Sequence, residues 1–273
     1  MEIFKFMKKI FFLAISILLI NQYSFSQDIN WKLEDNKFYT AEYDLSPRGS
    51  NLPSPVVLLK FPAGQFDFKI IASSKFGLKK TDLVTLSKKT GAVAGINTNF
   101  FDTKGDALGL VIDEGMPVVK EHKGGALMNA LFLVGKDRTL QIINKDSLSK
   151  IIKLEDVLSA VQAGPRIIQN KQLVDISPQA PSRRSGLALT SVGDVIIFAT
   201  KMRFPGATFG QLQRLLLKEE LDVKDAMMFD GGGSSQLYYE KSSDGYKSAP
   251  TFITGGDLVP VGLVVKARDN AKQ

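Results

Sequence analysis

Short apolar runs rich in β-branched and aromatic residues recur along the chain, and turn residues separate most of them. Such runs, bounded by Gly, Pro, Asn or Asp, are typical of β-strands, and two runs joined by a short turn predict a hairpin. Four pairs fit this pattern: "PVVLLKF" with "FDFKIIA", "ALGLVID" with "PVVK", "ALFLVG" with "TLQIIN", and the two halves of "SGLALTSVGDVIIFAT".

Three segments instead space their apolar residues as a helix does. "TDLVTLSKKTG" has Thr81 as the expected N-cap and Gly91 as the stop, and "TFGQLQRLLLKEEL" has Thr208 as the expected N-cap. "KLEDVLSAV" predicts a third, short amphipathic helix. Since strand pairs outnumber helices, the sequence predicts an α+β fold, a mixed, largely antiparallel sheet with a few packed helices in a single globular domain. Two small domains are the alternative.

Residues 1–26 predict a signal peptide: lysines, the apolar run "IFFLAISILLI" and a polar exit with small residues. Cleavage near Ser26 would leave Gln27 first and place the protein in the periplasm or outside the cell. The apolar run is too short to span a bilayer, and without cysteine there is no lipid attachment site, so we expect no stable membrane anchor. We expect N-terminal strands in 27–89, the core of the domain in 90–266 and a polar tail in 267–273.

The charge pattern indicates which kinds of binding partner to expect. The formal net charge is +7, and removal of the signal peptide, with three lysines and one glutamate, lowers it to about +5. The cationic residues are scattered rather than grouped on one helix, so we expect no nucleic-acid partner. An anionic small substrate is left open, and the sequence does not indicate the oligomeric state. A chain of this length without cysteine must rely on its core for stability.

The segment "MMFDGGGSSQLYY" places three glycines after an apolar strand whose carboxyl end carries Asp230. A carboxylate at a strand end is typical of a site, and the backbone amides of Gly231, Gly232 and Gly233 could form an anion-binding nest. Ser234 and Ser235 add hydroxyl donors. A surface hairpin turn is the alternative interpretation.

Several better-known sites do not fit this segment. A dinucleotide fingerprint or a nucleophile elbow requires glycine where Gln236 stands, and no Gly-Lys-Ser/Thr follows for a phosphate loop. The only histidine, His122, argues against a Ser-His-Asp triad and, without cysteine, against a zinc site. A Ca²⁺ or Mg²⁺ site of carboxylates and carbonyls is left open.

Three further motifs carry candidate binding residues. "GINTNFFD" puts the carboxamides of Asn97 and Asn99 at a strand end, where they could bond sugar or phosphate oxygens, although both are also common turn residues. "QAGPRII" supplies Gly164 and Arg166. "SRRSGLAL" opens a strand with Arg184 and Ser185, and an arginine there can fork onto phosphate, although solvated arginines are commoner.

In this order, the motifs resemble those of the phosphodiester glycosidase family, which includes the lysosomal uncovering enzyme. The resemblance covers residues 90–266 and rests on five matches to family motifs: "NTNFF", "AGPRII", Arg184 with Ser185, Gly206 with Thr208, and "FDGGGSS". Two departures stand out. Thr98 occupies an expected glycine position, which would add a side chain near the site, and "TKMRFPG" replaces an Asp-Gly turn, which alters a rim loop. The lack of cysteine also separates the chain from disulfide-bonded animal members.

The resemblance implies an exported hydrolase that cuts the sugar–phosphate bond of a glycosyl-1-phosphodiester, acting on a sugar phosphodiester or glycan without a required cofactor. Asp230 would then be the acid/base or nucleophile, Arg184 the phosphate contact and Asn97 the orienting group. A second carboxylate is expected for such chemistry. For Asp102, Asp106 and Asp194 a turn role is favoured. A metal-dependent phosphodiesterase and a non-catalytic cell-envelope glycan-binding module are the rival interpretations.

Overall fold

Antiparallel strands make up most of the computed structural model, which describes residues 28–47, 49–151, 153–241, 251–253 and 255–268. The strands within these ranges are β1 Lys32–Leu33, β2 Tyr39–Asp44, β3 Pro55–Phe61, β4 Phe66–Ala72, β5 Ala94–Asn97, β6 Val111–Asp113, β7 Met116–Val119, β8 Ala130–Gly135, β9 Leu140–Asn144, β10 Val157–Ala163, β11 Arg166–Gln169, β12 Gln172–Leu173, β13 Ser185–Thr190, β14 Val195–Thr200, β15 Val223–Met228, β16 Leu237–Tyr239, β17 Thr251–Ile253 and β18 Val261–Ala267. The helices are α1 Leu83–Thr90, α2 Leu148–Ile151 and α3 Phe209–Leu216. The predicted signal peptide lies outside the described residues.

The strands form three sheets. The largest has eight strands in the order β1-β2-β3-β14-β13-β15-β11-β12, and the two five-stranded sheets have the orders β7-β6-β10-β8-β9 and β17-β16-β5-β18-β4. Every pairing recorded between these strands is antiparallel. The fold is therefore richer in strands than the α+β class predicted, although the antiparallel sheet is as expected. None of the described helices has the length and apolar character needed to cross a membrane.

The predicted hairpin of β3 and β4 is wrong, and the packing of the core explains why. β3 and β4 were expected to pair as a hairpin, but β3 pairs with β2 and β14, whereas β4 pairs with β18 in another sheet. They face each other across the central core, where the rings of Phe61 and Phe66 lie 5.1 Å apart. β3 is buried on both faces, since Leu58 packs in a second cluster beneath α3. The two edges of β3 are already paired with β2 and β14, so no edge is left for β4.

The helix predictions had mixed outcomes. α3 begins after Thr208 as predicted, because the Thr208 hydroxyl accepts the Gln211 N–H in a capping box. α1 forms as predicted but is capped by Asp82, whose carboxylate accepts the Thr85 N–H, whereas Thr81 makes a β-bridge with Val259.

The predicted helix in "KLEDVLSAV" is wrong. Leu154–Asp156 forms a single 3₁₀ turn, and Val157–Ala163 is β10, the middle strand of its sheet between β6 and β8. Pairing along both edges supplies backbone hydrogen bonds that outweigh the helix-like spacing of a short apolar run.

Candidate active site

Asp230 lies two residues beyond the end of β15, and three hydrogen bonds hold its backbone. Its N–H donates to the Thr98 carbonyl at 2.8 Å. Its carbonyl oxygen accepts from Asn97 Nδ2 at 2.8 Å and from Ser185 Oγ at 2.9 Å. The ends of β5 and β15 and the start of β13 therefore meet at one backbone position, and the predicted residues Asn97, Ser185 and Asp230 do come together.

The asparagines are part of the framework of this site. Asn97 is fully buried, and its Oδ1 accepts the Gln236 N–H at 3.0 Å, so both ends of its carboxamide are engaged within the protein. Asn99 is also buried and donates to the Leu108 carbonyl at 3.1 Å. Asn97 therefore positions the backbone of Asp230, and its expected role of orienting the substrate stays a prediction. Thr98, which was expected to add a side chain near the site, is buried and donates to the Val261 carbonyl at 3.2 Å.

The carboxyl group of Asp230 is the most strongly perturbed acid described. Burial raises its pKa from the ordinary 3.8 to about 6, and hydrogen bonds from the Ser234 hydroxyl and the Gly231 N–H only partly oppose this rise. Repulsion from the Asp257 carboxylate raises the pKa further. A carboxyl with a pKa near 6 exchanges protons close to neutral pH, as catalytic acids and bases require.

Each of the three glycines lies where a side chain would meet a neighbour or adopt a rare backbone conformation. A Cβ on Gly231 would lie 2.9 Å from the Arg183 carbonyl oxygen, and one on Gly233 would overlap the Asp257 carboxylate. Gly232 has a φ of +60°, a conformation that residues with a side chain rarely adopt. The chain here is a 3₁₀ turn, Gly232–Ser234, rather than a loose hairpin.

The expected anion nest is mostly occupied by the protein itself. The Gly232 N–H donates to the Arg183 carbonyl at 3.0 Å, and the Gly231 N–H bonds the Asp230 carboxyl. Of the two serines, Ser234 bonds the same carboxyl, whereas Ser235 is fully buried. The glycines therefore bring the turn close to Asp230, and the amides of Gly231 and Gly232 already have partners.

Arg184 supplies a cation beside this turn. Its Nε donates to the Ala207 carbonyl at 3.2 Å, its Nη2 to the Ala180 carbonyl at 2.8 Å, and its guanidinium lies 4.3 Å from the ring centre of Phe209. A Cβ on Gly231 would be 3.7 Å from Nη1, so that nitrogen faces the glycine turn. Burial lowers the pKa of this guanidinium, but an arginine stays charged at neutral pH.

The Gly164–Pro165 segment contributes to the site indirectly. The Pro165 carbonyl accepts the Met228 N–H at 2.9 Å, which supports β15 just before Asp230. Arg166, expected to bind substrate, instead pairs with Asp225 at the start of β15, with Nη2 2.6 Å from the carboxylate. The structure therefore does not bring the Arg166 guanidinium to Asp230.

Two residues near Asp230 were not singled out as site residues from the sequence. Gln236 accepts the Leu83 N–H at 2.9 Å and donates to the Asp257 carbonyl at 2.6 Å, so it joins α1 to the loop that carries Asp257. Asp257 is exposed, and its carboxylate lies over Gly233. The glycine pair before Asp257 in "TGGDLVP" was the available signal, because a Cβ on Gly255 would overlap the Gly233 carbonyl.

The other carboxylates considered from the sequence are engaged in or beside turns. Asp102 accepts the Asp106 N–H within a turn, and Asp194 accepts the Ala63 N–H at 2.8 Å. Within the ranges that the structure describes, no three or more His, Asp or Glu side chains group closely enough to hold a metal ion.

The fold of this protein is similar to those of several solved proteins. The structure is similar to the catalytic domain of zebrafish N-acetylglucosamine-1-phosphodiester alpha-N-acetylglucosaminidase auto-inhibited by its pro-peptide, at TM-score 0.60 and 17% identity over 90% of this chain and 86% of that one. It is also similar to a hypothetical protein from Synechocystis, at TM-score 0.59 and 13% identity over 89% of this chain and 64% of that one. A third similar structure is that of a putative exported protein from Burkholderia pseudomallei, at TM-score 0.53 and 11% identity over 81% of this chain and 76% of that one.

At these identities the solved structures establish the fold alone. No curated protein sequence matches the chain. The family model for phosphodiester glycosidases matches residues 90–266, which is more than half of the chain and includes Asn97, Arg184 and Asp230. The chain belongs to the phosphodiester glycosidase family.

Proposed function

We propose that this protein is an exported hydrolase that cleaves the bond between the anomeric carbon and the phosphate oxygen of a glycosyl-1-phosphodiester. Water adds to the anomeric carbon, the carbon–oxygen bond breaks, and the electron pair leaves with the phosphate. The products are the free sugar and a phosphomonoester, and one proton is released. Membership of the family supports hydrolysis of a phosphodiester-linked sugar, and the site geometry supports the assignment of residues.

The observation that carries the proposal is the setting of Asp230. Its backbone is held by three hydrogen bonds, and burial raises its side-chain pKa to about 6. Catalytic groups must be held in a fixed geometry and have a pKa near the working pH. A surface turn would require neither.

The leaving group determines which form of Asp230 acts. A phosphomonoester leaves readily without being protonated, so the reaction needs little general-acid help and chiefly needs stabilisation of the positive charge at the anomeric carbon. Asp230 therefore acts as the carboxylate, either as the nucleophile or as the base that activates water. Asp257, close enough to raise the pKa of Asp230, is the second carboxylate of the site.

Arg184 binds the departing phosphate. Its Nε and Nη2 are held by carbonyl groups, and its Nη1 faces the Gly231 turn beside Asp230. The Nη1 side of the guanidinium is therefore directed at the place where negative charge develops on the phosphate.

The test is product release from methyl phosphodiesters of several glycosyl-1-phosphates by wild type and Asp230→Asn. The wild type should release reducing sugar and methyl phosphate, and Asp230→Asn should lose at least about 10³-fold in kcat with an unchanged fold. The matched control, Asp102→Asn, removes a carboxylate from a turn and should keep wild-type turnover.

Two outcomes would reject the proposal. Turnover abolished by a chelator and restored by Ca²⁺ or Mg²⁺ would favour a metal-dependent phosphodiesterase. Saturable binding without sugar release across the panel would favour a glycan-binding module.

A further inference from the structure

A cavity of about 760 Å³ opens beside the start of β15, and Asp230 is not among its lining residues. Its lining includes the end of β3, the start of β4, the turn between β8 and β9, the end of β13 and the start of β15. Asp225 lines the cavity and Asp230 follows β15, so five residues of extended chain, about 16 Å, separate the two places. A volume of several hundred Å³ is that of a small-molecule site.

The charges in this cavity favour an anion. Four cationic side chains line it, against two carboxylates, Asp137 and Asp225; the cations are Arg138, Arg166, Lys224 and Arg268. Arg268 is partly satisfied, since its Nε donates to Asp67 at 2.7 Å and its Nη1 to the Gly64 carbonyl at 2.7 Å. Lys224 is exposed and makes no recorded ion pair with the described residues. Arg138 also lies 3.9 Å from the Asp67 carboxylate, so with Asp67 counted the four cations meet three carboxylates and one positive charge is left over.

Arg166 is the central group of this site. Its side chain is 8% exposed, and Nη2 bonds Asp225 at 2.6 Å, but its Nε is buried without a hydrogen-bond partner among the described residues. Asp225 is shared, since the same oxygen also accepts the Asn170 N–H at 3.0 Å. A buried N–H donor without an acceptor is costly, so the Nε of Arg166 favours a ligand that completes its hydrogen bonds. An oxyanion in the cavity would supply acceptors.

We propose that this cavity is a binding site for the phosphate group of a sugar-sized phosphomonoester, separate from the active site. Arginine forks match the paired oxygens of phosphate, and Lys224 adds a point charge at the mouth. The volume exceeds that of phosphate alone, and the walls add apolar surface from Phe66 and Leu189 for the rest of the ligand. This site does not depend on the proposed catalytic function.

The test is titration of ¹⁵N-labelled full-length mature protein with inorganic phosphate, glucose 1-phosphate and glucose, followed by the amide signals of Asn170 and Lys224. Glucose 1-phosphate should shift both signals saturably and more tightly than inorganic phosphate, whereas glucose should shift neither. Lys224→Ala should weaken binding about tenfold, because one charge-assisted contact is lost. Arg166→Lys keeps the charge beside Asp225 but removes the fork, and it should weaken binding at least as much.

The matched control is Lys88→Ala, which removes an exposed lysine on α1 outside the cavity and should bind as wild type. Lys224→Ala and Lys88→Ala should keep wild-type hydrolysis of glycosyl phosphodiesters, so the two proposals can fail separately. Absence of saturable shifts at Asn170 and Lys224 would overturn the site. So would binding that both cavity variants leave unchanged, and equal affinity for phosphate and glucose 1-phosphate would overturn its assignment to a sugar phosphate.

Discussion

Asn97 donates its side-chain N–H to the main-chain carbonyl of Asp230 at 2.8 Å, across 133 residues of sequence. Ser185 donates to the same oxygen at 2.9 Å. Two buried side chains from different sheets therefore fix the position of the proposed catalytic residue without contacting its carboxyl group. The family motifs that carry these residues are thus linked through one atom.

Removal of one of these donors should affect turnover more than binding. Ser185→Ala leaves the Asp230 carbonyl with Asn97 as its side-chain donor, so we expect a loss of about 1 kcal/mol in unfolding free energy. A less well-fixed Asp230 should lower kcat about tenfold with little change in KM. Urea denaturation and steady-state kinetics measure the two effects, and a change in KM alone would assign Ser185 to substrate binding.

The pH dependence should follow the carboxyl group of Asp230. If Asp230 acts as the carboxylate, kcat/KM should rise with pH through about 6, the raised pKa of that group. Asp257→Asn removes a neighbouring negative charge, which lowers the pKa of Asp230 and moves this ascending limb to lower pH. If the ascending limb of the pH profile of Asp257→Asn stays at the wild-type pH, Asp257 does not affect the pKa of Asp230.

The raised pKa of Asp230 also predicts an effect on stability, because the carboxylate form that acts in catalysis is the form that destabilises the folded protein. The pKa of Asp230 is raised in the folded state, so its contribution to stability is present below about pH 3.8 and is lost as the pH rises through about 6. Asp230→Asn removes the buried charge and should stabilise the protein by about 1–3 kcal/mol at pH 7.5. The difference in Tm between variant and wild type should narrow towards zero as the pH falls to 4. A variant less stable than wild type at pH 7.5 would contradict the burial argument.

The sequence predicted those parts of the fold that local chemistry determines. The hairpins β6–β7, β8–β9 and β13–β14 pair as expected, and Thr208 caps α3. The placement of β3 and β4 in different sheets could not be predicted. A short turn between two apolar strands has the same sequence pattern whether the strands share a sheet or face each other across a core. The helix expected in β10 failed for a related reason, since long-range pairing outweighs local spacing.

The sequence indicated which residues come together better than it indicated the contacts that each one makes. Asp230, Asn97 and Ser185 meet, but Asn97 is buried and bonds the backbone of Asp230, and burial cannot be read from a strand-end motif. Arg166 follows the Gly-Pro motif, yet its side chain extends to Asp225, away from the site. Asp257 was missed because the glycine pair before it indicates a close backbone approach but does not indicate that the partner is Gly233.

The contact between Gly255 and Gly233 gives a further prediction. Gly255→Ala would push a Cβ into the Gly233 carbonyl, a backbone group that cannot rotate away, so we expect a loss of about 2–4 kcal/mol in unfolding free energy. Gly233→Ala meets the Asp257 side chain, which is exposed and can turn, so its cost should be about 1 kcal/mol. The control, Gly210→Ala within α3, meets nothing closer than 3.6 Å and should be neutral or slightly stabilising. Thermal unfolding would rank the three, and equal losses would argue against the close backbone contact.

The central claim is that the bond broken is the one between the anomeric carbon and oxygen. Hydrolysis of a glycosyl-1-phosphate methyl diester in H₂¹⁸O, followed by mass spectrometry of both products, tests it most directly. The account predicts that ¹⁸O enters the anomeric hydroxyl of the released sugar and is absent from methyl phosphate. Label in the phosphate product would show cleavage of the phosphorus–oxygen bond and contradict the role given to Asp230.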